Sequence, residues 1–261
     1  MRGAKIRLSF EDPSMPRRSA LLVPLLVALL GSPAGADSLL VLKSHADAFR
    51  LKDESQPAKD TEVRIWVAGD KVRRDEGDSS MILRLDRNKL FLVHHPDRTY
   101  NELTLPIEFV RLFPKGKEDL GQTWDKQMRL VVKVSPGTET KKINGWTARR
   151  EQMDIASAMG MKIATTLWLS KDVAAYPLLN RLTATLAALQ PGAADWAQKL
   201  EKLDGFPVLK EDDVDALGAH FKTREELVSM TTRDAPAGTY DPPAGYTAAP
   251  YDPLASAGAG E

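Results

Sequence analysis

Residues 61–103 read TEVRIWVAGDKVRRDEGDSSMILRLDRNKLFLVHHPDRTYNEL, and the fold turns on this stretch. Val63, Ile65 and Val67 alternate with Glu62, Arg64 and Trp66 until Gly69-Asp70 turns the chain. Val72 follows among charged residues, and Glu76-Gly77-Asp78 turns it again. Met81, Leu83 and Leu85 alternate with Ile82, Arg84 and Asp86; Arg87-Asn88 is a third turn, and Leu90–Val93 is a fourth apolar run. Alternation with a period of two between turn residues is the pattern of an antiparallel meander with one buried face.

The flanks extend the pattern. His94-His95-Pro96-Asp97-Arg98 is a turn, because Pro96 biases His95 toward extended backbone, and Thr99–Leu103 leaves it as another short strand. Upstream, Leu39–Leu51 reads as a strand with Leu40, Leu42 and Ser44 on one face. Downstream, Pro106–Phe113 is a brief apolar patch and Lys115–Lys126 a polar connection. Met128–Val134 reads as a strand carrying Met128, Leu130, Val132 and Val134 on one face. Asn144-Gly145 supplies the positive φ that a type I′ hairpin turn needs. It separates that region from Trp146–Ile155, and Met161–Leu169 follows with Met161, Ile163, Thr165 and Leu167 aligned.

The period then changes. Leu178, Leu182, Leu186 and Leu189 recur at helical spacing up to Pro191-Gly192, and Trp196, Leu200 and Leu203 repeat it up to Asp204-Gly205. An apolar stripe of this kind predicts an amphipathic helix that packs on something. Phe206–Leu209 and Leu227–Thr232 read as closing strands. Residues 37–246 are expected to form a single domain, and 247–261, rich in Pro, Ala and Gly, a disordered tail.

The first residues carry an address. Arg17-Arg18 precede ALLVPLLVALL at residues 20–30, and Ala34-Gly35-Ala36 follows. A basic start, a short apolar core and an A-x-A site predict a cleaved Sec-type signal peptide over 1–36, cut after Ala36. The apolar run is too short to cross a bilayer. Met15 begins a compact signal of its own, so translation is expected to start there. No cysteine follows the core, so there is no lipoprotein signal, and the expected location is periplasmic or secreted. The chain has 36 basic and 36 acidic residues. The signal carries five basic and two acidic of these, which leaves 31 against 34. Such a balance argues against nucleic acid as a partner and against electrostatic capture by anionic lipid.

Catalytic signals are weak. With no cysteine in 261 residues, thiolate metal sites and cysteine nucleophiles are excluded. His94-His95 with Asp97 is the best metal candidate, but adjacent strand residues point to opposite faces, and no metal or cofactor is expected. Glu211-Asp212-Asp213 and Asp215 lack calcium-loop spacing. No G-x-S-x-G or H-E-x-x-H motif is present, and no serine sits in a recognisable nucleophile setting. The aromatic residues Trp66, Phe91, Trp124, Trp146 and Trp168 fit a core.

Taken together, the export signal, IWVAGDKVRRDEG and MILRLDRNKLFLVHHPDRTYNEL at 65–77 and 81–103, INGWTARREQM and TTLWLSKD at 143–153 and 165–172, and PPAGY at 242–246 resemble a group of uncharacterised bacterial secreted proteins. Those are similar in design to the periplasmic lipoprotein carriers and receptors of the outer-membrane localisation pathway and to the mycobacterial lipid-transfer lipoproteins. The resemblance covers roughly residues 39–246. It implies a mainly β, α+β fold: an antiparallel curved half-barrel whose concave apolar face is covered by a short helical insert and holds acyl chains. The N-terminal lipid-anchored cysteine of the receptors is missing, and the carriers' ligand-gating arginine is not matched to a position here.

The expectation is therefore a non-catalytic carrier for a lipid or other apolar ligand, not an enzyme and with no integral membrane span. An envelope protein partner fits the same reading. Val63, Ile65, Val67, Met81, Leu83, Leu85, Met128, Leu130, Val132 and Leu167 would form the concave wall, with Leu178, Leu182 and Leu186 as the lid. The competing reading is a structural half-barrel filled by its own side chains.

Overall fold

A computed structural model describes residues 37–51, 54–216 and 218–253. The quoted stretch forms a meander: β4 (Lys59–Ala68), β5 (Lys71–Glu76), β6 (Ser79–Arg84), β7 (Lys89–His94) and β8 (Thr99–Thr104). Its turns sit where the punctuation placed them. Gly69, Gly77 and Asn88 take φ of 52°, 55° and 52°, a region that glycine enters freely and asparagine tolerates. Leu85 leaves the strand for a single 3-10 turn, Leu85–Arg87.

A second meander consists of β9 (Leu130–Ile143), β10 (Trp146–Ser157), β11 (Lys162–Ser170), β12 (Phe206–Ala216) and β13 (Ala219–Thr232). The strand β1 (Ser38–Ala46) joins the two, pairing with β4 on one side and β13 on the other. The small hairpin β2 (Phe49–Leu51) and β3 (Glu54–Gln56) lies between β1 and β4 in the chain. The strand β14 (Thr247–Ala249) adds to β8 in parallel, and every other pairing is antiparallel. The result is one open, curved sheet of twelve strands, ordered β14-β8-β7-β6-β5-β4-β1-β13-β12-β11-β10-β9.

The helical insert between β11 and β12 is α2 (Tyr176–Ala187) and α3 (Ala194–Glu201). Pro177 stands in the first turn of α2, where a missing N–H costs nothing. The helix lies close to β5 and to β12, so it reaches across the concave face. Its buried leucines and alanines meet different parts of the core. Leu179 and Leu182, both 2% exposed, pack with Leu40, Leu42, Val63 and Leu83, while Ala184 and Ala187 pack with Leu130, Val132 and Leu167. Each such large side chain removed from water contributes about 1.5–3 kcal/mol. The buried amide of Asn180 donates to the carbonyls of Leu203 and Gly205, which fixes α2 to the start of β12.

Four expectations are corrected. The polar stretch 115–126 contains a helix, α1 (Glu118–Gln127). It buries little: Trp124 meets Phe113 edge-on, and Gly121 leaves room for that ring, since a Cβ there would come within 2.7 Å of it. Met128 consequently ends a helix and is 38% exposed, rather than opening a strand on the concave wall. The closing strands are far longer than their apolar cores, because Asp212 is met across the sheet by the hydroxyls of Thr165 and Thr223. Lastly, Thr247–Ala249 is ordered by pairing with β8, with Asn101 donating to the carbonyls of Ala249 and Pro250. Residues 1–36, where a signal peptide cut after Ala36 is expected, and residues 254–261 lie outside the described residues.

Candidate functional site: a two-ended cavity under the helices

Strand alternation builds the floor of a cavity. Met153 and Ile155 on β10 share a face with Ile163, Thr165 and Leu167 on β11, because the register sets Met153 beside Thr165 and Ile155 beside Ile163. Leu179, Leu182 and Leu186 of α2, with Trp196 and Leu200 of α3, close the space from above. The cavity measures about 430 Å³, within the range of small-molecule sites.

One end of it is charged. Val72 is fully buried on the concave face, so Arg74 and Glu76, two and four residues on, point the same way. Leu227, also fully buried, carries Glu225 and Thr223 with it in the same manner. Arg74 Nη2 donates to Glu225 Oε2 at 2.6 Å and to Glu76 Oε2 at 3.0 Å. Two strands, β4 and β1, separate the partners in the order β5-β4-β1-β13, three steps or roughly 14 Å on a flat sheet. The contact closes because the sheet is curved and the side chains converge inside it. Burial alone would lower the Arg74 pKa, but the Glu225 and Glu76 carboxylates outweigh it and push it up. The guanidinium stays charged.

The expected wall and lid residues divide in two. Ile65, Met81, Leu167, Leu182 and Leu186 line the cavity. Val63, Val67 and Leu83 are buried at 0, 6 and 0% exposure in the packed core beside it, and Leu85 and Leu178 pack against that core. Leu130 and Val132 belong to the second core cluster. Part of the concave face is thus filled and part is hollow. The charged end went unread in the sequence, although Arg74 and Glu76 break the alternation on the face that Val72 defines.

The opposite face of the sheet holds His95. His94 is exposed, 3.9 Å from Asp97. His95 points the other way, with Nε2 2.7 Å from Ser80 Oγ and Nδ1 3.0 Å from Tyr246 Oη. Ser80 donates its hydrogen to Asp75 at 2.5 Å and is fully buried. A nucleophilic serine needs its proton directed at an imidazole held by a carboxylate, and an open approach; here the hydroxyl is committed to Asp75 and covered. The cluster instead fastens the C-terminal segment. Arg73 reaches the Thr239 carbonyl, and the buried Arg84 binds both the Tyr240 carbonyl and the Asp241 carboxylate. Among the described residues no group of three His, Asp or Glu is arranged for a metal.

Residues 53–246 match the model of a family described as Domain of unknown function (DUF4412). No curated protein matches the chain. Among solved structures, PNGF-II is similar at TM-score 0.38 and 9% identity over 83% of this chain and 32% of that one, so the chain spans about a third of that protein. A domain from Vibrio parahaemolyticus described as an outer membrane lipoprotein-sorting protein is similar at TM-score 0.30 and 10% identity, over 79% of this chain and 89% of that one. Likenesses at these scores carry no functional inference.

Proposed function

The chain belongs to the DUF4412 family, and on the geometry of its cavity we propose that it is a non-catalytic binding or carrier protein for a lipid or other apolar ligand. The observation that supports this most is the cavity itself. Leu182 and Leu186 of α2 and Met153, Ile155, Ile163 and Leu167 of the sheet line a space of about 430 Å³. Where lid and floor stand apart they forfeit dispersion contacts, and an acyl chain would restore them.

The proposed place of action is the periplasm, supported by the basic, apolar and A-x-A pattern of residues 1–36. Among the described residues no helix is long and apolar enough to cross a membrane. The alternative, a structural half-barrel, draws on the filled part of the concave face around Val63 and Leu83. Titration with diphenylhexatriene, a neutral apolar fluorophore, decides between them: saturable uptake at about one probe per chain supports the carrier, and no uptake supports the structural reading.

A further inference from the structure

The carrier reading leaves the ligand's polar end unspecified, and the charged end of the cavity bears on it. Among the described residues that line that end, each cation has a carboxylate partner. Lys210 pairs with Asp212 at 2.8 Å. Arg224 is taken by Glu211 and Glu226, at 2.7 and 2.8 Å. Arg74 is shared between Glu76 and Glu225. The arginine groups therefore each hold one carboxylate in excess, and the Arg74 group does so inside the cavity. Its guanidinium side chain is only 19% exposed, while Glu225 and Glu76 retain 25 and 35%. A partly desolvated site with a surplus negative charge is unfavourable until a cation neutralises it. The apolar end, with Leu182, Leu186 and Trp196, belongs to the same cavity.

Resting on the carrier reading, we propose that the ligand is an amphiphile with a cationic, ammonium-type head group, its chain under α2 and its head against Glu225 and Glu76. Ammonium donates to carboxylate oxygens that Arg74 leaves free, since a carboxylate has about four lone-pair sites and Arg74 occupies one oxygen of each. An anionic head group meets a guanidinium whose charge two carboxylates already outweigh, and the surplus repels it.

The test is calorimetric titration of the full chain with three ten-carbon amphiphiles below their aggregation limits: decylammonium, decanol and decanoate. The ammonium compound is expected to bind about tenfold tighter than decanol, the size of one charge-assisted contact, and decanoate weaker than decanol. In Glu225→Gln the ratio of ammonium to decanol affinity is expected to fall toward one, and Glu76→Gln is expected to act in the same direction. Thermal melting of each variant establishes that it is folded. Decanol binding without an ammonium preference, or a preference that survives both substitutions, overturns the head-group inference and leaves the carrier reading standing. Failure of all three amphiphiles to bind overturns both.

Discussion

At the scale of single residues, two side chains on one strand face separate the filled from the hollow part of the concave surface. Leu83 and Met81 are two apart on β6 and point the same way. Leu83 is fully buried among Leu40, Val63 and Leu90, whereas Met81 keeps some exposure and lines the cavity. Leu83→Trp forces a bulky ring into packed space and is expected to cost about 1–3 kcal/mol. Met81→Trp places the indole in open space and is expected to change stability by less than about 1 kcal/mol. Chemical denaturation of both variants checks this. Equal, large losses would mean that the space beside Met81 is not available to a guest. Alternation told the two residues apart from their outward neighbours but not from each other. Which inward side chain meets another and which meets a void depends on where α2 crosses, and that is a property of the tertiary packing.

At the scale of elements, the strands and their turns were legible and the polar elements were not. Val63-Ile65-Val67 and Met153-Ile155 alternate because one face is buried. Asn144 and Gly145 turn the β9–β10 hairpin at φ of 49° and 96°, as their backbone freedom requires. By contrast, α1 presents almost no apolar stripe, and the outer halves of β12 and β13 carry charges that pair partly across the strands, as Arg224 does with Glu211. The Arg74–Glu225 contact was hidden because its partners lie 151 residues apart, and only a curved sheet brings them together. The helix α2 is the element on which the site depends most. Leu182→Ala removes a side chain that is 2% exposed and touches both the core and the cavity. It is expected to cost about 2–5 kcal/mol and to loosen the roof. Unfolding midpoints measure the first effect. A loss below about 1 kcal/mol would contradict the view that α2 is packed on the sheet at this point.

At the scale of the whole molecule, β1 makes one sheet out of two meanders, and the β11–β12 insert roofs it. The edges are managed separately. The β8 edge is covered by β14, and on β9 the Lys199 ammonium donates to the Val132 carbonyl while Leu130 N–H donates to Gly192, which blunts an otherwise open strand. The chain has no cysteine, so no disulfide holds this sheet together. Intact-mass measurement of protein recovered from a bacterial periplasm is expected to give a chain beginning at Asp37; a product that retains residues 21–30 would contradict cleavage and point to a membrane anchor.

The central claim is that the space between sheet and helices is a binding site for an apolar guest. Titration of the purified chain with diphenylhexatriene, run in parallel on Met81→Trp, tests it most directly. The expected result is saturable binding near one probe per parent chain and weaker binding to a Met81→Trp variant that melts like the parent. A parent chain that takes up no probe, or a variant that binds it as well as the parent does, would contradict the claim.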